Sequence, residues 1–127
     1  MYIGAEDLKT SEQQARDSAK RNFYEENKSF KNDLGKPMMN LLPFESLEAV
    51  AMILNHGAKT YGKNTWQKVE NAKERYEAAL LRHLTAYKKG EKTDKESGLS
   101  HLAHMACNAL FMLWFEVQEN KAAENAK

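Results

Sequence analysis

Gly98-Leu99-Ser100-His101-Leu102-Ala103-His104-Met105-Ala106-Cys107-Asn108-Ala109-Leu110-Phe111-Met112-Leu113-Trp114-Phe115 is apolar on nearly every face of a helix. That pattern belongs to a central helix rather than to one lying on a surface. His101, His104 and Asn108 interrupt it at i, i+3 and i+7, on one side, and His83 falls on the apolar face of the preceding helix. Burying an imidazole or amide without partners costs about 1–3 kcal/mol. The polar stripe therefore predicts partners across a helix interface, with a metal ion or a bound ligand as the natural candidate.

Working outward, Lys88-Lys89-Gly90 gives the preceding helix, about Asn71 to Lys88, a basic, glycine-terminated end suited to the helix dipole. Its inward side is Tyr76, Ala79, Leu80, His83, Leu84 and Tyr87. Another helix opens at Pro43 and carries Leu47, Val50, Ala51 and Leu54 as its stripe, with Gly57 expected to end it. Lys59 to Lys68 reads as a polar connection with two aromatics, and Glu91 to Gly98 as an acidic-basic loop. No stretch alternates with period two for long enough to make a strand, and no internal repeat is visible. The expected fold is all-α: a small helical bundle with a polar N-terminal segment (1–33), a helical domain (34–120) and a frayed tail (121–127).

The chain has 127 residues, 19 basic and 18 acidic, for a net charge of +1. Such a balance offers no global attraction to a nucleic-acid polymer or an anionic membrane. The single cysteine, Cys107, excludes an internal disulfide framework and reads as a small hydrophobe in the central helix. The apolar run from Met105 to Phe115 is too short to span a bilayer, and the N-terminus lacks the apolar core of a secretory signal. A cytoplasmic setting is the expectation.

Several constellations suit chemistry. Glu45 and Glu48, one helical turn apart, can share a divalent cation through oxygen ligands, although acidic residues in a first turn also simply complement the dipole. The spacing of His101 and His104 fits one metal, or one ligand beside an acid/base group. Arg75 and Arg82 lie on one helical side and, with Lys36 and Lys59, suit phosphate oxygens. Tyr61 and Trp66 are candidates to stack a nucleobase, while a loop aromatic also commonly plugs a core edge. Asp94 and Glu96, just before the central helix, fit either a dipole partner or a further metal ligand.

The segments Lys36-Pro37 and Leu41-Leu42-Pro43-Phe44-Glu45-Ser46-Leu47-Glu48-Ala49-Val50-Ala51 resemble the phage-encoded dATP/dGTP diphosphohydrolase N-terminal domain family. The likeness continues through Gly57-Ala58-Lys59-Thr60-Tyr61-Gly62, Asn64-Thr65-Trp66, Arg75-Tyr76, Ala79-Leu80-Leu81-Arg82-His83-Leu84 and Gly90-Glu91. It closes on Asp94, Glu96-Ser97-Gly98-Leu99, His101-Leu102-Ala103-His104 and Cys107-Asn108-Ala109. The resemblance implies an all-α fold related to MazG-like pyrophosphohydrolases. It implies cleavage of purine deoxynucleoside triphosphates to monophosphate and pyrophosphate with a divalent cation, Mg2+ first and Mn2+ or Zn2+ as alternatives. Where those enzymes carry an ExxD motif, this chain has His101-x-x-His104.

On that reading Glu45, Glu48, His101, His104, Asp94 and Glu96 are the metal candidates, and Glu48, His83 and His104 the catalytic ones. Lys36, Lys59, Arg75 and Arg82 would meet phosphates, Tyr61 or Trp66 would stack the base, and Asn64 or Asn108 would read its edge. A bundle this small exposes its site, so a homodimer or homotetramer is expected to complete it. The alternative is a non-catalytic phage protein that sequesters a host nucleotide signal. Buried histidines argue against a third reading, a ligand-free adaptor.

Overall fold

A computed structural model of the chain describes residues 11–21 and 31–126. The chain divides into two compact units, Met1–Leu41 and Leu42–Lys127. In the first, residues 11–21 form a solvated helix, α1, in which Gln13 Nε2 donates to Asp17 Oδ1 one turn on. Gly35, at φ +83°, then serves a turn in which Lys36 N–H donates to Asp33 O, before a 3-10 turn over Met39–Leu41. The rest of the polar segment expected over 1–33 lies outside the described residues.

The second unit consists of α2 (Phe44–Tyr61), a 3-10 turn (Thr65–Lys68), α3 (Ala72–Lys88) and α4 (His101–Asn125). Among the described residues the only extended pairing is an isolated bridge between Thr93 and Ser100. The all-α reading therefore holds. α4 packs against both α3 and α2 and is the element around which the unit is built. Ser100 caps it, its Oγ accepting the N–H groups of Leu102 and Ala103. Such a cap is worth about 1 kcal/mol. Although α4 has 25 residues, no described helix is long and apolar enough to cross a membrane.

Two boundaries and one helix face differ from the sequence reading. Gly57 does not end α2, which continues to Tyr61 and closes where Gly62 takes φ 92° and donates its N–H to Ala58 O. A glycine inside a helix costs only about 1 kcal/mol, and the positive φ that a terminator needs is supplied five residues later. The stripe of α2 is also rotated. Ile53 is buried, Val50 and Leu54 pack beside it, and Leu47 and Ala51 face outward. At about 100° per residue, the inward face is displaced roughly 60° from the expected one. Finally, α4 runs to Asn125, so 121–125 extend a helix where a frayed tail was expected.

The packing is uneven. Ile53, Ala103 and Cys107 form the buried core of the unit, flanked by Val50, Leu54, Leu99 and Phe111. Cys107 is fully enclosed, and burial pushes its thiol up to about 11, so it is an inert hydrophobe as expected. One side of α4 stays open within a single chain: Leu102, Leu110 and Leu113 are each about half exposed. Toward its C-terminal half, Trp66 stacks on Phe111 with ring centroids 4.3 Å apart and meets Trp114 edge-on at 5.0 Å. Tyr76 packs against Phe111 from α3, and its hydroxyl donates to Trp66 O at 2.8 Å.

Candidate metal centre

Three segments meet at the N-terminal end of α4. α3 brings His83, the first turn of α4 brings His101 and His104, and the α3–α4 connection brings Glu91, Asp94 and Ser97. That connection folds back on itself. Glu91 N–H donates to Ala86 O, Asp94 N–H to Leu99 O, Gly98 N–H to Asp94 O, and His101 N–H to Lys92 O. Gly98 adopts φ +72°, and the Asp94 carboxylate caps its own turn by accepting Ser97 N–H at 2.9 Å. Asp side chains favour turns of this kind because they can bond backbone a few residues ahead. The outcome is a carboxylate held beside the imidazoles rather than in solvent.

His101 is almost fully buried, at 3 % exposure, and both its ring nitrogens are engaged. Nε2 lies 3.1 Å from Glu91 Oε2, and Nδ1 lies 2.8 Å from His83 Nδ1. An ionised carboxylate only accepts, so Nε2 of His101 carries the hydrogen, which leaves a lone pair on its Nδ1. His83 Nδ1–H is then the donor between the two rings; this tautomer follows from the partners. The ring of His83 also stacks on that of His104 at 4.3 Å, nearly parallel. His104 Nε2 lies 2.7 Å from Ser97 Oγ and 3.9 Å from Asp94 Oδ2.

Electrostatics disfavour protonation of His83 and His104. Burial pushes the pKa of His83 below its ordinary value, His101 and Arg82 add to the effect, and Asp94 opposes it. For His104 burial again leads, followed by repulsion from His83, with Asp94 opposing and His101 and His56 adding smaller depressions. Burial alone would raise Asp94, but hydrogen bonds from the Ser97 backbone and side chain, with His104 and His83 nearby, leave it lowered. Neutral imidazoles beside an ionised carboxylate are the protonation states that bind a cation. One ligand atom each from His83, Asp94 and His101 lies within 4.8 Å of the other two.

Ser97, His104 and Asp94 do not form a nucleophilic triad. Serine and carboxylate both address Nε2 of the histidine, whereas activation of a hydroxyl requires one on each ring nitrogen. What the arrangement can do is hold a divalent cation through three protein ligands and leave further positions open, the pattern of a reactive rather than a structural site.

The structure joins three of the expected site residues, His83, Asp94 and His101, and sets His104 against them. It leaves others elsewhere. Glu45 and Glu48 are exposed on α2 and do not belong to the cluster. Counted at about 100° per residue, Glu48 lies on the side opposite Val50, Ile53 and Leu54, so the packing of α2 turns it outward. Glu96 is exposed in the connection and is not among the converging ligands. Trp66 has one ring face stacked on Phe111, and Asn108 Nδ2 donates one hydrogen to His104 O at 2.8 Å, so both are engaged in packing inside the unit. Lys59, Tyr61, Asn64, Arg75 and Arg82 are solvent-exposed, and Lys36 belongs to the first unit.

Glu91 and Ser97 had no role in the sequence reading. Their only signal is position, since they lie in the short connection between two histidine-bearing helices. Beside them runs a shallow open groove lined by Arg82, Thr85, Lys89, Gly90, Glu91 and Lys95.

The unit is all-α, and two imidazoles and one carboxylate converge at the junction of two of its helices. The chain belongs to the dATP/dGTP diphosphohydrolase N-terminal family, whose model matches residues 26–125. It is 36 % identical over 84 residues to a protein of Salmonella phage PMBT28 named dATP/dGTP diphosphohydrolase. The aligned stretch is 66 % of this chain but spans only 28 % of the length of that relative. No solved structure matches the chain.

Proposed function

We propose that this chain binds purine deoxynucleoside triphosphates and hydrolyses them to monophosphate and pyrophosphate, with a divalent cation held by His83, Asp94 and His101. The convergence of those three ligand atoms within 4.8 Å carries the reading, in a chain whose phage relative bears the diphosphohydrolase name. Mg2+ is the cation that the family resemblance brings, with Mn2+ or Zn2+ as the alternatives. When bound, such a cation supplies charge for phosphate oxygens and lowers the pKa of a water.

The chain's own groups do the rest. To His104, whose pKa burial lowers and which lies 3.9 Å from Asp94, we assign the proton released when water attacks phosphorus and the bridging P–O bond breaks. Arg82, with Lys89 and Lys95 along the same groove, offsets the charge of the leaving pyrophosphate. Lys59 and Arg75 are further exposed cations available to the triphosphate. Tyr61, 73 % exposed, offers a free ring for a base, and Asn64 nearby offers an amide for its edge. The open row Leu102, Leu110 and Leu113 supports assembly as a homodimer or homotetramer, which light scattering on the eluting protein would size. A nucleotide pool in the cytoplasm, of the host if the chain is phage-encoded, would supply the substrate.

Incubation with dATP, dGTP and other nucleotides, each with Mg2+, Mn2+ or Zn2+, tests the activity. The expected products are monophosphate and pyrophosphate, identified by chromatography. The histidines of His101-x-x-His104, standing where the related pyrophosphohydrolases carry ExxD, favour one second reading, nucleotide binding without hydrolysis. Tight binding with no pyrophosphate under any cation would establish it.

A further inference from the structure

The nature of the donors says more about the cation than the fold does. Two of the three converging atoms are imidazole nitrogens and one is a carboxylate oxygen. Mg2+ demands oxygen ligands in near-ideal octahedral array and keeps most of its water, so two nitrogens are a poor exchange for it. First-row transition ions reverse the preference, because imidazole is a favoured ligand for them and affinity climbs along the series.

Geometry points the same way. Around one such ion, with bonds of about 2.0–2.1 Å, neighbouring ligand atoms stand roughly 3 Å apart. The two Nδ1 atoms stand 2.8 Å apart, near that spacing, and taking up an ion would move the His83 hydrogen from Nδ1 to Nε2 and turn the two lone pairs from one another toward the ion. An outer carboxylate is also in place: Glu91 Oε2 takes the Nε2–H of His101 and so leaves the Nδ1 lone pair on the side that faces His83. Metal-binding histidines commonly have such a partner on the far ring nitrogen. The second oxygen, Oε1, is itself withdrawn from solvent with no hydrogen-bond partner, a cost borne by a side chain that is otherwise partly exposed.

We propose that His83, Asp94 and His101 form a transition-metal site that takes Mn2+, Co2+ or Zn2+ in preference to Mg2+, with Glu91 as the positioning residue that orients His101. The proposal rests on the reading that this cluster holds a cation, and is independent of whether a nucleotide is hydrolysed.

Metal-free full-length protein titrated with Co2+ tests it through the visible ligand-field bands, which need no substrate. One equivalent per chain is expected, and a 100-fold excess of Mg2+ should leave the bands in place while Zn2+ abolishes them. Glu91→Gln should weaken Co2+ by about 10–100-fold, and His83→Ala should remove the bands. Glu48→Gln should match the parent. Circular dichroism establishes that each variant is helical, and the Mg2+ competition on the parent requires no variant at all. Displacement of Co2+ by comparable Mg2+ would overturn the selectivity. Unchanged bands in His83→Ala would overturn the ligand set, and unchanged affinity in Glu91→Gln would overturn the positioning role. Selective Co2+ uptake without pyrophosphate release from any nucleotide would leave this site standing and remove the hydrolytic reading; release supported by Mg2+ without Co2+ uptake would do the reverse.

Discussion

The junction of α3 and α4 is built in two ways along its length. Near the start of α4, His83, His101 and His104 meet one another, Glu91 and Ser97 through hydrogen bonds between 2.7 and 3.1 Å, with Asp94 3.9 Å from His104. Two turns and more along the same helix, Phe111, Trp114 and Phe115 meet Trp66 and Tyr76 through ring faces and edges. The aromatic end gains from area and dispersion, which tolerate imperfect geometry and call for no exact partner. At the polar end every group taken from water needs a specific partner, so the enclosed histidines are stable only as a set. One end therefore carries stability and the other carries chemistry at a cost in stability.

That contrast can be broken most severely at the aromatic end. Phe111→Ala removes the ring on which Trp66 stacks and opens a space beside Cys107. Loss of a large core aromatic costs about 3–5 kcal/mol, and the lower end applies because Phe111 is only partly buried. Urea unfolding should show that loss, while Co2+ affinity of the folded fraction stays near that of the parent. His101→Ala should cost less, about 1–3 kcal/mol, by stranding the Glu91 carboxylate and unpairing His83. It should nonetheless remove the Co2+ bands entirely. Larger destabilisation from His101→Ala than from Phe111→Ala would reverse the assignment of the two ends.

The pH response sharpens the comparison. His83 and His104 have pKa values below the ordinary histidine value in the folded chain, so the unfolded chain binds more protons over that interval. Stability then rises with pH through the interval, is complete above about 6.5, and is lost as pH falls toward the depressed values. Melting of metal-free protein in chelator should shift to lower temperature below that point, and His104→Asn should flatten the profile. Phe111→Ala should leave its shape alone. The smallest effect belongs to neither end. Lys73 and Glu119 pair at 3.1 Å with both side chains largely solvated, and Lys73→Ala should change stability by no more than about 1 kcal/mol. A larger loss in urea unfolding would mean that the far end of the α3–α4 pair is coupled to the aromatic cluster.

Legibility in the sequence followed the type of interaction. Of the inward side expected for α3, Tyr76, Ala79, Leu80, His83 and Leu84 are partly withdrawn from solvent, because helical periodicity places residues on faces, whereas Tyr87 near the helix end is exposed. The same periodicity misplaced the stripe of α2, where a nearly continuous apolar run from Leu47 to Leu54 admits two faces roughly 60° apart. Glu45 and Glu48 were attractive as ligands because they are one turn apart, but spacing says only that two carboxylates share a side. It does not say that the side meets the histidines. Trp66 illustrates the same gap, since an aromatic in a connection can stack on a base or on Phe111, and only the packing of α4 decides.

By itself, then, the sequence determined that the described chain is helical, that α3 ends at a glycine, and that three polar residues on one side of an apolar helix must find partners. Each of these depends on residues close together along the chain, where periodicity and capping act. Only the tertiary structure decided who the partners are. Asp94 and Glu91 reach the histidines because the connection from α3 folds back through Gly98 and the Asp94–Ser97 turn, while Glu48 is carried away by the rotation of α2. A metal site requires ligand atoms within a few ångströms in space, and separation along the chain sets no such distance once a turn and a helix crossing intervene.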